Sequence, residues 1–105
     1  MHPSITAKRD SLEVLCRRYG VARLAVFGSA ARGGDFDPDL SDADFLVEFR
    51  SDSGLKPLQQ YFGLATALEE LLGRPVDLIE REAIEASRNY IRRRAILSEA
   101  ETLYG

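Results

Sequence analysis

The chain of 105 residues is 45% hydrophobic and 30% charged, with a formal net charge of −3. That is the balance of a soluble globular chain, and the length suits one domain, residues 1–105, with a modest core. The acidic balance weighs against binding nucleic acid through bulk charge. No apolar run approaches the roughly 18 residues of a membrane span. The first residues carry no basic-then-apolar leader pattern, so the cytoplasm is the expected location. The single cysteine, Cys16, excludes an internal disulfide, and the single histidine, His2, leaves little for triads or zinc sites built on histidine.

From Ser4 to Tyr19, apolar residues recur mostly three or four apart at Ile5, Leu12, Leu15, Cys16 and Tyr19, which predicts an amphipathic helix. Ser4 or Thr6 can cap it, Gly20 can end it, and Cys16 falls on its apolar face as a small core residue. Val21 to Phe27 predicts a strand. The Gly28-Ser29 turn then opens a short helical segment, Ala30-Ala31-Arg32. Asp35, Asp37 and Asp39 surround Pro38 in a loop, where they read as exposed charges.

Asp42 to Phe49 predicts the second strand, followed by the polar turn Arg50 to Gly54. Lys56 to Leu72 predicts a helix buried through Leu58, Phe62, Ala65, Leu68 and Leu72, with Gly63 costing it about 1 kcal/mol relative to Ala. Gly73-Arg74-Pro75 stops that helix. Val76 to Ile79 predicts a third strand with Asp77 alone in an apolar run. Glu82 to Glu101 then reads as a helix buried through Ile84, Ile91, Ile96 and Leu97. Thr102-Leu103-Tyr104 suits either a continuation of that helix or an edge strand. The order α-β-(short α)-β-α-β-α defines an α/β or α+β domain.

Chemistry concentrates between Phe27 and Asp44. Side chains alternate along a strand, so Asp42 and Asp44 share the face opposite Ala43 and Phe45. Two such carboxylates repel unless a cation neutralises them or one takes a proton, and hard divalent ions prefer oxygen ligands. Gly28 and Ser29 open a helix where backbone N–H groups can approach a phosphate, with Arg32 one turn on as either a phosphate contact or a brace. Asp77 would complete a two-metal site if its strand lies beside that of Asp42 and Asp44, serving as metal ligand and base. The plain alternative for Asp77 is an ion pair with Arg74 or Arg81, since an unpaired buried carboxylate is costly. Arg92-Arg93-Arg94 reads as a solvated helix face, or as a contact for an acidic partner or a nucleotide. Ser29 has no neighbouring base to make it a nucleophile.

Gly28-Ser29-Ala30-Ala31-Arg32-Gly33, followed by Ser41-Asp42-Ala43-Asp44-Phe45-Leu46-Val47, resembles the signature of the polymerase-β-like nucleotidyltransferases. It is most similar to the minimal nucleotidyltransferases, or MNT domains, of HEPN/MNT toxin–antitoxin pairs. The similarity extends through Leu71-Leu72-Gly73-Arg74-Pro75-Val76-Asp77-Leu78-Ile79, and more weakly through Ile91 to Leu97. The resemblance implies a polymerase-β-like nucleotidyltransferase fold, a mixed sheet with flanking helices. It implies Asp42, Asp44 and Asp77 as catalytic and metal-binding residues, with a pair of Mg²⁺ ions. Gly28, Ser29 and Arg32 are then the nucleotide-binding residues, and ATP is the donor of AMP to a hydroxyl. The implied partner is a HEPN-type RNase toxin, adenylylated on tyrosine and so neutralised, and the assembly it implies is a homo-oligomer or a hetero-oligomer with that toxin. A catalytically silent antitoxin that masks the toxin by contact is the alternative, and transfer to an RNA 3′ end or a small molecule is a third. The segment from Gly34 to Leu40 departs from the family by being slightly longer and more acidic. Strand pairing should hold Asp42 in place while that loop bulges outward.

Overall fold

The computed structural model describes residues 3–28, 31 and 43–105. The loop carboxylates Asp35, Asp37 and Asp39 lie outside the described residues, as do Ser29, Arg32 and Asp42. A four-stranded mixed sheet forms the centre, in the order β3-β2-β1-β4. Its strands are β1 (Val21–Phe27), β2 (Ala43–Phe49), β3 (Val76–Glu80) and β4 (Glu101–Tyr104). β1 pairs antiparallel with both β2 and β4, whereas β2 and β3 run parallel.

The helices are α1 (Pro3–Thr6), α2 (Arg9–Arg18), α3 (Pro57–Leu72), α4 (Arg81–Glu85) and α5 (Tyr90–Glu99). One face of the sheet buries Leu24, Val26, Ala43, Phe45, Val47 and Leu78 against Ile5, Leu12, Cys16, Leu64 and Leu68 of α1 to α3. The other face buries Ala25, Phe27 and Leu46 against Ile84 of α4 and Ile96 of α5. No helix among the described residues is long and apolar enough to cross a membrane.

Several predicted elements are redrawn. The first helix is two, because the chain tightens at Ala7-Lys8, where Lys8 N–H donates to Ile5 O at 3.0 Å. Its second half has Lys8 at the N-cap, with no side-chain cap hydrogen bond. The helix predicted over Glu82 to Glu101 breaks at 86–89. There the Asn89 side chain accepts from Arg92 N–H at 3.1 Å and restarts the helix as α5. Ile91, expected in the core, is 80% exposed. Thr102-Leu103-Tyr104 belongs to an edge strand.

The buried stripe of α3 is also rotated from expectation. Gln60, Leu64 and Leu68 face inward, while Leu58 and Phe62 are exposed. A glutamine holds the first inward position because backbone carbonyls converge there. Its Nε2 donates to Tyr19 O at 3.2 Å, Arg50 O at 3.3 Å and Ser53 Oγ at 2.9 Å.

Gly63 is placed by space. A Cβ there would stand 2.4 Å from Cε1 of Tyr19, whose half-buried ring packs against the core. Gly63→Ala gains about 1 kcal/mol of helix propensity, but displacing a packed ring costs on the order of 1–3 kcal/mol. The expected result is a lower urea midpoint than the parent's, with unchanged slope. A raised midpoint would show that the ring yields freely.

Cys16 is fully buried, and its thiol pKa is pushed up to about 12, first by burial and then by the nearby charge of Glu13. The thiol ionises in the unfolded chain near the ordinary 9.0, well below the folded value. Its contribution to stability is therefore complete below about pH 9 and is lost as pH rises towards 12. Cys16→Ala should flatten that alkaline decline, as read from melting curves between those limits. A disulfide reagent should meanwhile fail to label the native thiol at neutral pH.

Candidate active site

β2 and β3 are held in register so that Asp44 lies directly beside Asp77. Neighbouring strands stand about 4.8 Å apart, so the two carboxylates leave adjacent strands on the same side of the sheet. Alternation assigns that side. Ala43 and Phe45 point into the core of α1 to α3, so Asp44 projects with Leu46 towards the face of α4 and α5. The parallel arrangement begins before β3 proper, where Ala43 N–H donates to Pro75 O at 3.1 Å. Leu78, buried on the first face, fixes the orientation of Asp77 in the same way.

The glycine turn converges on this pair. Phe27, the last residue of β1, is the cross-strand partner of Asp44, which brings Gly28 to the carboxylate. Gly28 has φ +67°, and a Cβ built on it would lie 2.6 Å from Asp44 Oδ2. Any side chain there would meet both a disfavoured backbone conformation and the carboxylate itself. Ala31 N–H donates to Gly28 O at 3.1 Å, closing the turn into a helical residue. Phe27, 7% exposed, gives the carboxylates an apolar flank, which alternation along β1 could have indicated.

Asp77 is exposed and Asp44 half-buried, so Asp77 does not carry the burial cost expected of an aspartate in an apolar run. Asp77 sits on an edge strand, where an apolar sequence context does not mean burial. Arg81, one of its two expected ion-pair partners, is instead paired with Glu85 at 2.9 Å. Two adjacent carboxylates, one exposed and one half-buried, form a donor set suited to a hard divalent cation. Among the described residues no third acidic, histidine or cysteine side chain joins them. Of the predicted site residues, Gly28, Asp44 and Asp77 are therefore brought together. A cleft of about 400 Å³ lies at the opposite end of β2 and β3, lined by Glu48, Arg50, Gln60, Glu80 and Arg81, and includes neither aspartate.

A strand end, a glycine turn and two carboxylates from parallel strands thus meet at one end of the sheet. The chain belongs to the nucleotidyltransferase domain family, whose pattern it matches over residues 8–99. It is 34% identical over 82 residues to the protein adenylyltransferase MntA of Thermococcus cleftensis, covering 78% of this chain and 75% of that one. A Methanocaldococcus jannaschii relative, provisionally a protein adenylyltransferase, is 37% identical over 76 residues, or 72% of this chain and 73% of its own. Among solved structures, a protein provisionally assigned as a minimal nucleotidyltransferase superposes with TM-score 0.73 at 34% identity, covering 96% of this chain and 95% of that one. The MNT antitoxin bound to the AMPylated HEPN toxin of Shewanella oneidensis shares the fold at 19% identity and TM-score 0.60, over 95% of this chain and 71% of that one.

Proposed function

We propose that this protein is a Mg²⁺-dependent protein adenylyltransferase, transferring AMP from ATP to a hydroxyl of a HEPN-type toxin and so acting as its antitoxin. A tyrosine is the acceptor this reading favours, and the cytoplasm its setting. The observation that carries the reading is the side-by-side register of Asp44 and Asp77 with Gly28 packed against Asp44. The adenylyltransferase names of the relatives support the choice of AMP, and the toxin–antitoxin neighbours support the choice of partner. Asp42, Asp44 and Asp77 would hold the cations, which when bound supply charge neutralisation at the reacting phosphate.

Each remaining role belongs to the chain's own groups. Gly28, by lacking a side chain, lets the following backbone approach the phosphates, with Ser29 and Arg32 as further donors. In this reading Asp77 accepts the proton of the entering hydroxyl, a role its exposure beside Asp44 supports. The test incubates the purified chain with α-labelled ATP, Mg²⁺ and the protein encoded by the adjacent gene. Label on the neighbouring protein, with release of pyrophosphate, is expected. An unlabelled neighbour in the presence of demonstrably folded enzyme overturns the proposal.

A further inference from the structure

α2 and α3 pack side by side on one face of the sheet, and a groove of about 430 Å³ runs between them. Its floor is apolar, formed by Leu15 of α2 with Ala67 and Leu71 of α3, all half-buried, and Val14 stands beside them at 53% exposure. Leu12 and Cys16 point into the core, so Val14 falls on the outer side of α2, where a β-branched residue adds nothing to helix formation. A lone exposed valine needs no explanation. The charges flanking this one are divided by helix, with Arg18 on the α2 wall and Glu70 on the α3 wall. Neither side chain has an ion-pair partner among the described residues, whereas Arg17, one position earlier, is already paired with Glu13.

We propose that this groove docks a second copy of the chain, related to the first by a two-fold axis lying along the groove. Such an axis sets α2 of each copy over α3 of the other, so Arg18 of either chain faces Glu70 of the second, and the contact occurs twice. A two-fold axis across the groove would instead set α2 against α2 and bring both Arg18 side chains together, which their charge opposes. Val14 then packs against the second copy's α3, and burial of the apolar floor supplies the affinity. Exposed ion pairs are individually worth little, so the Arg18–Glu70 pairs act chiefly by choosing partner and orientation. Each wall already carries the charge that the opposite wall needs, and that complementarity is what selects a second copy as the occupant. The groove lies on the side of the sheet opposite to the one that Asp44 faces, so both Asp44–Asp77 sites stay open and the proposal does not rest on the transferase reading.

Sedimentation equilibrium of the full chain tests this. The parent should associate reversibly to a dimer, and Val14→Asp should remain a monomer with a near-parent melting midpoint, since the position is at the surface. Arg18→Glu and Glu70→Arg should each raise the dissociation constant by at least about tenfold, because symmetry places like charges together at both contacts. Mixing those two variants should restore association close to the parent's, since every contact in the mixed dimer again joins opposite charges. A pair formed within one chain could not be rescued by mixing. Single variants that associate as the parent does, or a mixture that fails to recover, overturn the proposal. A parent that stays monomeric at high concentration also overturns it, and if Val14→Asp then abolishes binding of the adjacent-gene protein, the groove belongs to that protein instead.

Discussion

On the transferase reading proposed above, Asp77→Asn and Asp44→Asn should each reduce AMP transfer by at least about 10³-fold, since each would remove a charge from a carboxylate proposed to hold the cations. The amide keeps the shape of the side chain, so the sheet should remain intact. The double variant should be little worse than either single one, because the two groups act as a unit. Stability gives a readout independent of activity. Asp77 is exposed and stands beside a like charge, so neutralising it in metal-free buffer should leave the melting midpoint unchanged or raise it slightly. Mg²⁺ should then raise the midpoint of the parent by mass action and leave that of Asp77→Asn where it was. Parent-level transfer by Asp77→Asn would remove it from the reaction. Toxin neutralisation that survives both substitutions, with the complex still formed, would favour an antitoxin that acts by contact alone.

Much of the framework was legible because it is local. β1 to β3 are short runs of β-branched and aromatic residues, and Gly20 and Gly73 mark the ends of the helices before β1 and β3. The orientation of Asp44 followed from alternation, since Ala43 and Phe45 are apolar neighbours that a core would claim. Its pairing with Asp77 could not be read in the same way. Parallel register is set by how α3 packs across the sheet, and no short-range rule fixes that. The break at 86–89 had a local signal, Asn89 three residues before Arg92, which the helix-forming arginines masked. The inward stripe of α3 was missed for a different reason. Hydrophobic periodicity looks for apolar residues, and the first inward residue is polar because it serves the backbone of two separate turns.

That residue, Gln60, carries the second large effect. It is 5% exposed, and its amide joins the turn before β1, through Tyr19 O, to the turn after β2, through Arg50 O and Ser53 Oγ. The same junction is closed by Arg50 N–H donating to Gly20 O at 2.7 Å. Gly20, at φ +66°, has no room for a side chain because a Cβ would lie 2.4 Å from Ser53 Cβ. Gln60→Leu keeps the volume and removes the donor, so the part-buried Tyr19 and Arg50 carbonyls lose it. The expected loss is about 2–4 kcal/mol of unfolding free energy, read from urea titration. Gln60→Glu separates hydrogen bonding from packing. Its carboxylate would face backbone carbonyls that cannot donate, with only the Ser53 hydroxyl able to, so burial and that neighbourhood raise its folded pKa above the unfolded value. Its stability should then be greatest at acid pH and fall as pH rises through the raised value, a dependence the Leu variant lacks. The junction sits at the end of β1 and β2 remote from Asp44, so both variants should transfer AMP at near-parent rates well below their melting midpoints. A variant with parent stability and impaired transfer would place Gln60 in the site instead of in the scaffold.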